Sequence, residues 1–383
     1  MASLKVKPVV WVITHGFQLH YSYDFITGLL KSKCNVKAIT CDSLASKLEN
    51  TGIEVIPLRG NINSNRNIFI KLVSNIRYHV GVVFLVVMKQ PSVWHVIGTL
   101  RHPILMGIVE GIFFKVFSKK YVFTVHNLLP HESRNTIQKT INKIIYLLPD
   151  ILVVHTKKMK RDLTELFGIS QKKIVVMEHG LNSAATEKNV SREILREVYG
   201  LSSSMIVFVF FGKIRPYKGL DILLDAYSSF NDKRNTKLFI AGEFENADYR
   251  QMILDKIFSA REANGCEIEL FEGYISDEKM AELLAIGDAL VLPYRHIDQS
   301  GVLLTALSAG IPVIATNVGS MSEYVQPEVG ILAEEPSCSS LLKAMEEFIE
   351  SYGTTISRDN IKALAKKYDW ENVVSPLLEQ YEI

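Results

Sequence analysis

The apolar residues of this chain fall into short runs that alternate with amphipathic segments. In the second half each run is five or six residues long and rich in Val, Ile, Leu and Phe, as is typical of strands buried in a parallel sheet. Helical patterns lie between them: Leu220, Leu223, Leu224 and Tyr227 share one helix face, and Ser276 precedes a capped helix. This half therefore predicts a doubly wound α/β sheet. Its predicted strands lie at 206–211, 237–241, 267–271, 288–292 and 311–315.

The first half shows the same alternation less clearly. The stretch 66–89 predicts mainly a long helix, although Gly81 and the run VVFLVV leave a strand as an alternative. Its longest uninterrupted apolar run is far shorter than the roughly 20 residues of a spanning helix, so we expect no transmembrane segment. The N-terminal residues predict a buried strand rather than a signal peptide. The strands of this half are expected at 8–14, 34–40, 53–57, 93–98, 120–125, 151–155 and 173–177.

A polar segment of small residues, 178–193, separates the two halves. We therefore predict two Rossmann-like, doubly wound parallel-sheet domains that face each other across a cleft. The first domain is placed at 1–185 and the second at 186–359. A C-terminal helix at 360–383 is expected to pack back onto the first domain.

Composition narrows the class of protein. With 48% hydrophobic and 22% charged residues, the 383-residue chain is typical of folded globular proteins. Cysteines stand only at Cys34, Cys41, Cys266 and Cys338, without metal-ligand spacing, which indicates a reduced, zinc-free, cytoplasmic protein. Neither Asp-x-Asp nor any other metal-binding spacing appears, so no metal or other cofactor is expected.

Charge is distributed unevenly between the halves. Residues 1–180 hold 24 Lys and Arg against 10 Asp and Glu, whereas the remainder holds 19 against 31. The segment 66–120 has eight cations and one acid, Glu110. We interpret this as peripheral attachment to the inner face of an anionic membrane, with a lipid-linked acceptor. Binding of a soluble anionic glycan is the alternative, and solvated faces of unequal charge would explain the distribution without any partner.

Two loops of the second half have the composition of anion-binding sites. In FFGKIRPYKG, residues 210–219, Lys213 and Lys218 stand between a strand and the N-terminus of a helix, where free N–H groups favour an oxyanion. In DQSGV, Ser300, Gly301 and Val302 open another helix after another strand. Because the carboxyl ends of parallel strands share one edge of the sheet, the two loops together predict a diphosphate site. A surface loop with incidental lysines remains the alternative.

These motifs resemble family 4 of the retaining nucleotide-sugar glycosyltransferases, which have the two-domain GT-B architecture. FFGKIRPYKG is similar to the family pattern F-x-G-R-x-x-x-x-K-G, and the resemblance extends over about residues 170–330. It implies that Lys213 and Lys218 hold the donor diphosphate, and that backbone around Tyr274 and Ile275 meets the nucleotide base. A later family pattern, G-x-P-V-x-A-T-x-x-G-x-x-E, is similar to the segment with Gly310, Pro312, Val313, Ala315, Thr316 and Gly319, in which Glu323 stands one position beyond the glutamate of the pattern.

The chain departs from the family where two glutamates are usual. The aligned positions are close to Ile297 and at Thr305, so neither carboxylate is present. Asp298 is a candidate to replace the first glutamate, and Thr305 a candidate to donate a hydrogen bond to a ribose hydroxyl. The substitution bears mainly on the identity of the donor sugar.

The first half is similar to the family at two strand ends. His126, in YVFTVHNLLPHESR, matches the single active-site histidine and is expected to hydrogen-bond the transferred sugar. Glu132 is a secondary candidate for acceptor contact or for orienting the histidine. Gly16 matches the first glycine loop, which approaches the donor phosphates or the acceptor.

The sequence thus predicts a glycosyltransferase that moves a hexosyl unit from a nucleotide diphosphate sugar to a glycan or lipid-linked glycan, in cell-surface polysaccharide synthesis. The resemblance implies a retaining mechanism, and the two lysines favour a metal-independent one. A nucleotide-sugar epimerase of the same architecture and a non-catalytic nucleotide-sugar-binding subunit are the alternatives. No nucleic-acid partner is expected. The absence of Gly-x-Gly-x-x-Gly after any strand argues against a dinucleotide oxidoreductase.

Overall fold

The computed structural model describes most of the chain in two compact units. The units are Met1–Gly180 with Tyr368–Ile383, and Leu181–Lys367. The predicted boundaries at 185/186 and 359/360 lie a few residues from these. The described residues are 8–16, 18–63, 66–89, 92–98, 103–129, 136–182, 191–230, 235–351 and 356–382.

The first unit is built on a fully parallel sheet of seven strands. Its order, β3-β2-β1-β4-β5-β6-β7, reverses direction between β1 and β4. Every predicted strand of the first half is present. The strands are β1 (Val9–Thr14), β2 (Asn35–Cys41), β3 (Glu54–Gly60), β4 (Val93–Ile97), β5 (Lys120–Thr124), β6 (Ile151–Val154) and β7 (Ile174–Val176).

Helices cover both faces of this sheet, and the stretch at 66–89 is a helix, as the main prediction had it. Within the described residues, one helical segment, Phe69–Lys89, is long and apolar enough to cross a membrane, which differs from our expectation. The helices are α1 (Leu19–Lys31), α2 (Asp42–Leu48), α3 (Ile68–Lys89), α4 (Pro103–Phe117), α5 (Thr136–Leu147) and α6 (Lys157–Phe167).

The second unit repeats the plan with six parallel strands in the order β10-β9-β8-β11-β12-β13. The five predicted strands are present, and β13 was not predicted because its apolar run is short and follows two proline- and glycine-containing turns. The strands are β8 (Ile206–Phe211), β9 (Thr236–Gly242), β10 (Ile268–Glu272), β11 (Ala289–Leu292), β12 (Val313–Thr316) and β13 (Gly330–Ala333).

The helices of the second unit confirm both local predictions. Leu220, Leu223, Leu224 and Tyr227 are buried on α8, and the Ser276 hydroxyl accepts a hydrogen bond from the Lys279 N–H at the start of α10. The helices are α7 (Arg192–Val198), α8 (Leu220–Ser229), α9 (Ala247–Asn264), α10 (Asp277–Ile286), α11 (Gly301–Ala309), α12 (Met321–Tyr324), α13 (Cys338–Ser351) and α14 (Arg358–Ala365).

Of the helix predicted at 360–383, the part up to Lys367 belongs to the second unit with α14. The rest packs on the first unit as two short helices, α15 (Trp370–Val373) and α16 (Ser375–Tyr381). The Tyr381 hydroxyl lies 2.5 Å from His95 Nδ1 on β4. The ring of Trp370 lies so close to Gly180 that a Cβ there would come within 2.3 Å of it. This return covers one face of the first sheet and fixes the end of the chain to that unit.

Candidate active site

Each sheet reverses its strand order at one place, and that place determines where a ligand can approach. In open parallel α/β sheets, the loops after the two strands at the reversal diverge to opposite faces and leave a crevice at their carboxyl ends. The loops concerned follow β1 and β4 in the first unit, and β8 and β11 in the second. Nearly all the predicted site residues lie on these loops or beside them.

Lys218 lies in the loop after β8 and is buried, with 7% of its surface exposed. Its ammonium lies over the ring of Tyr294, 5.2 Å from the centroid, and makes no ion pair within the part of the chain that is described. Burial lowers the pKa of Lys218, and the cations Arg215 and Lys213 add to this effect, whereas Tyr217 and Glu245 act against it. A buried ammonium without a direct ion pair is costly, and a bound anion would lower that cost.

The second anion-binding loop leads into α11. The Ser300 hydroxyl accepts the N–H of Leu303 at 3.2 Å and thereby caps the helix, so it is not directed to a ligand as an acceptor. The N–H groups of Gly301 and Val302 make no hydrogen bond with any described residue. They stand at the positive end of the helix, as an oxyanion site requires.

The two loops face the same crevice, and Tyr294 connects them. Its ring lies under Lys218, and its hydroxyl is 3.4 Å from the Ser300 hydroxyl. A Cβ placed on Gly212 would lie 3.0 Å from the Lys218 ammonium and 3.5 Å from Val302. A glycine at 212 therefore leaves open the space between the lysine and the start of α11.

Further contacts hold these loops together. Arg295 forms a bidentate pair with Asp221 on α8, at 2.8 and 2.5 Å, and donates to the Pro216 carbonyl at 2.7 Å. Although burial alone would raise the pKa of Asp221, hydrogen bonds from Arg295 and Tyr249 hold it below its usual value. The site is preorganised by groups that need not touch the ligand. Sequence reasoning missed Arg295 and Asp221. Their only signal was their charge, Asp221 just after the first loop and Arg295 just after β11.

Lys213 is exposed and pairs with Glu245 in the loop after β9, at 2.8 Å. Arg215 contacts the same carboxylate. Burial would raise the pKa of Glu245, but these two cations hold it below its usual value. Because an exposed ion pair is worth only about 0–1 kcal/mol, Lys213 can exchange Glu245 for a phosphate at little cost.

The residues near the positions of the missing glutamates differ in whether their side chains are available to hydrogen-bond a ligand. Thr305 donates its hydroxyl to the Gly301 carbonyl at 3.0 Å and accepts from Asn182 at 3.1 Å. Since a hydroxyl has one hydrogen, Thr305 does not donate to a ribose in this arrangement, contrary to our expectation. Asp298 is half-buried in the same loop, and the side-chain oxygen of Gln299 is buried without a hydrogen-bond partner among the described residues. Gln299 is an acceptor that sequence reasoning left unassigned.

Tyr274 and Ile275 follow β10, beside the loops already described. The Tyr274 ring is 87% exposed, and the backbone groups of both residues make no hydrogen bond with the described chain. They are free to pair with a planar heterocycle, which is the role predicted for them.

The first unit has a cavity of about 260 Å³ at its own strand reversal. His15 and Gly16 follow β1, Gly98 follows β4, and His126 follows β5; all four line the cavity. Gly16 has a φ of +81°, and a Cβ there would lie 2.9 Å from Cys41 Sγ, so only glycine suits this loop. The polar wall is completed by Gln18, Ser22, Asn127, Gln138, Asn142 and Tyr146.

His126 is half-buried, and its Nε2 is enclosed without a hydrogen-bond partner among the described residues. Burial lowers its pKa to about 3, with His179 and His95 adding to the effect. The imidazole is therefore neutral near pH 7 and suited to hydrogen bonding rather than to acting as a cation. Its ring packs edge-on against Tyr21 at 4.6 Å, a contact that the sequence did not reveal. The secondary candidate Glu132 lies outside the described residues.

Among the described residues, no group of three or more His, Cys, Asp or Glu side chains is arranged so that it could hold a metal ion.

Residues 191–368 match the family model described as glycosyl transferases group 1. The chain is 24% identical over 238 residues to an uncharacterized glycosyltransferase of Methanocaldococcus jannaschii, covering 61% of this chain and 60% of that protein. It is 27% identical over 261 residues to the GDP-mannose:glycolipid 4-beta-D-mannosyltransferase of Xanthomonas campestris, covering 64% and 67%. The chain thus spans about three fifths to two thirds of the length of these relatives.

Among solved structures, HepE of Anabaena in complex with UDP matches with a TM-score of 0.73 at 15% identity, covering 98% of this chain and 99% of that one. The fold is that of the GT-B glycosyltransferases, with two Rossmann-like α/β units, as predicted. The family model matches the second unit, so this unit is similar to the glycosyl transferases group 1.

Proposed function

We propose that the chain transfers a hexosyl unit from a nucleotide diphosphate sugar to a glycan or lipid-linked glycan acceptor in cell-surface polysaccharide synthesis. The observation that carries the proposal is the buried, unpaired ammonium of Lys218 beside the free N–H groups of Gly301 and Val302. Cleavage of the bond between sugar and diphosphate leaves one additional negative charge on the terminal phosphate of the departing nucleotide diphosphate. A cation and a helix N-terminus already aimed at that charge stabilise it without reorganisation.

The remaining residues receive roles within this proposal. The second unit holds the donor, with Lys213 on the diphosphate and backbone of Tyr274 and Ile275 on the base. Asp298 is assigned to the sugar, and Gln299 is added as an acceptor for one of its hydroxyls. His126 of the first unit, as a neutral imidazole, hydrogen-bonds the transferred sugar.

The proposal includes a retaining course, metal independence and a cytoplasmic location. The retaining course comes from the family resemblance. Metal independence rests on Lys218 and Lys213 as the charges that neutralise the diphosphate, and it predicts that activity persists in EDTA. A cytoplasmic location, at the inner face of a membrane, agrees with the four free cysteines. UDP in the HepE structure and GDP-mannose in the name of the Xanthomonas relative support a nucleotide-sugar donor, without fixing its base.

Nucleotide binding by Lys218→Met tests the proposal. Calorimetric titration with UDP, GDP and ADP should give roughly 10- to 100-fold weaker binding of the preferred nucleotide, because one charge-assisted contact is lost. The variant should also melt at a higher temperature, since a buried uncompensated charge has been removed. Equal affinity of wild type and variant would overturn the assignment of Lys218.

Lys237→Met is the matched control. Lys237 lies over the ring of Phe239, 4.8 Å from its centroid, but pairs with Glu269 and stands near the amino end of β9, away from the site. Its substitution should leave nucleotide affinity unchanged and lower the melting temperature. The opposite signs of the two stability changes separate a ligand-binding lysine from a structural one.

A non-catalytic nucleotide-sugar-binding subunit is the second candidate, favoured by the absence of carboxylates at Ile297 and Thr305. Slow donor hydrolysis that depends on His126 supports the transferase, whereas donor binding without turnover supports the subunit. The relatives named above do not favour an epimerase.

A further inference from the structure

The outer surface of α3 is apolar, although it faces away from the core. The side chains of Phe69, Val73, Ile76, Val80 and Phe84 are 49–69% exposed. Their spacing of four, three, four and four residues places them on one stripe along a helix of about 33 Å. Water-soluble surfaces rarely carry such a continuous apolar stripe without a partner.

The neighbouring helix α4 widens this surface. Val109, Ile112 and Val116 are 41–65% exposed and again recur on one helix face. The two helices pack together, and His79 Nδ1 on α3 lies 2.7 Å from Glu110 Oε1 on α4. We define the exposed apolar faces of α3 and α4 as the outer face.

The charged side chains exposed on α3 and α4 themselves have one sign. Within the described residues of α3 and α4, the single carboxylate is that of Glu110, which is buried and bound to His79. Arg77, Lys89 and Lys115 are exposed on the same two helices, and Lys115 contacts Asp150, which lies between α5 and β6. A second copy of the chain would bring like charges together, whereas an anionic surface complements them.

The opposite side of α3 is fixed within the first unit. Tyr78, Val82 and Val86 are at most 1% exposed, and the Tyr78 hydroxyl lies 3.3 Å from His15 Nδ1. A Cβ on Gly81 would meet Leu58 of β3 at 2.6 Å, so helix and sheet are in close contact. Although its composition permits crossing, α3 cannot be surrounded by lipid while this face is part of the core.

We propose that the outer face docks onto an anionic lipid bilayer, with α3 lying in the plane of the interface. The apolar stripe enters the boundary between headgroups and acyl chains, and the flanking cations meet anionic headgroups. Near such a surface each cation strengthens binding by roughly fivefold. The inference does not depend on the proposed transfer reaction, because docking is measured without donor or acceptor.

Flotation of the full chain with vesicles tests the proposal. Vesicles of equal parts phosphatidylglycerol and phosphatidylcholine should carry the wild-type chain upward, and pure phosphatidylcholine or high salt should weaken binding severalfold. The double variant Val80→Gln/Phe84→Gln should bind the anionic vesicles at least about tenfold more weakly. No binding of the wild type would overturn the proposal.

The matched control is Val198→Gln/Phe258→Gln in the second unit, where the side chains are 75% and 67% exposed. It removes equivalent apolar surface and should float like wild type, so equal losses in both variants would contradict a specific face. Sedimentation without lipid tests whether a second copy of the chain covers the outer face instead. A dimer that Val80→Gln/Phe84→Gln dissolves, together with unchanged vesicle binding, would assign the face to a second copy.

Discussion

The two units have similar strand reversals, but the side chains around each reversal differ in chemistry. At the edge of the second sheet, Lys218 is buried beside the start of α11, and the local charge is positive. At the edge of the first, imidazoles and amides line a cavity, where burial lowers the pKa values of His126 and His15 and keeps both neutral near pH 7. The same backbone arrangement is therefore suited to an anion in one unit and to an uncharged polyhydroxyl group in the other. The loops, rather than the sheets, carry the difference.

The largest expected effect is on acid stability, and it separates the units. Buried histidines with a lowered pKa lie in the first unit: about 3 for His95 and His126, and about 4 for His15 and His179. Below pH 6.5 the unfolded chain binds protons that these groups do not, so the free energy of unfolding falls as the pH drops from 6.5 towards 4. The first unit should unfold in this range.

Tryptophan fluorescence measures this directly, because Trp11, Trp94 and Trp370 are the three tryptophans of the chain and all belong to the first unit. In the second unit, the ionised carboxylates of Asp221 and Glu245 stabilise the fold, and their pKa values are lowered. This contribution to the free energy of unfolding is therefore lost only below about pH 4. Fluorescence should therefore change at a higher pH than the final part of the circular dichroism transition. Coincident transitions would show that the histidines do not set the acid limit.

Substitution of His126 should have the next largest effect. His126→Ala removes the imidazole that we propose hydrogen-bonds the transferred sugar, and it should lower the transfer rate by roughly 10²- to 10³-fold. Affinity for the donor nucleotide should stay at the wild-type value, since Lys218 and α11 belong to the other unit. Turnover and calorimetric titration on one preparation check both parts, and a full transfer rate in the variant would remove His126 from the site.

A smaller effect is expected at Gly219, which has a φ of +68° and whose Cβ would lie 1.9 Å from the Pro293 carbonyl oxygen. Gly265 has a φ of +63° with no atom within 4 Å, so it supplies the same backbone strain without the collision. Gly219→Ala should destabilise the second unit by about 1–3 kcal/mol more than Gly265→Ala. Urea unfolding compares the two variants. Equal midpoints would mean that the loop at Gly219 can move away from Pro293 without a cost in stability.

The smallest effect is expected for Lys213. It is exposed and shares Glu245 with Arg215, so Lys213→Ala should change the stability of the second unit by less than about 1 kcal/mol. The KM for the donor should rise on the order of threefold to tenfold, and Lys213→Arg should restore it. A loss of donor affinity as large as that of Lys218→Met would mean that the exposed lysine contributes as much to donor binding as the buried one.

Strands and helices of both units could be predicted from the sequence because apolar runs and helical periods report burial directly. Lys213, Lys218 and the start of α11 could also be placed, since a strand end, a glycine and a helix start fix their positions. The commitment of Thr305 to Gly301 and Asn182 could not, because a side chain's hydrogen-bond partner depends on distances across the fold. Tyr294 and Tyr21 gave no local signal for the same reason.

The outer face of α3 shows a different limit. Its apolar positions predicted a helix correctly, but hydrophobicity does not specify whether a side chain faces a core or some other apolar medium. The stripe at Phe69, Val73 and Ile76 has the same period as the buried one at Tyr78, Val82 and Val86. Which side lies against the sheet emerges only from packing.

The loops of the second unit touch one another through main chain at three glycines. A methyl group at Gly219 would strike the Pro293 carbonyl, one at Gly242 the Gly212 carbonyl, and one at Gly319 the Ile297 carbonyl. Main-chain contacts thus support the crevice in addition to the side-chain contacts of Arg295 and Tyr294, and none of them involves the side chains of Asp298 or Gln299. Libraries that vary Asp298 and Gln299 while retaining these glycines should yield folded proteins with altered sugar preference, which makes this loop a practical starting point for changing the donor.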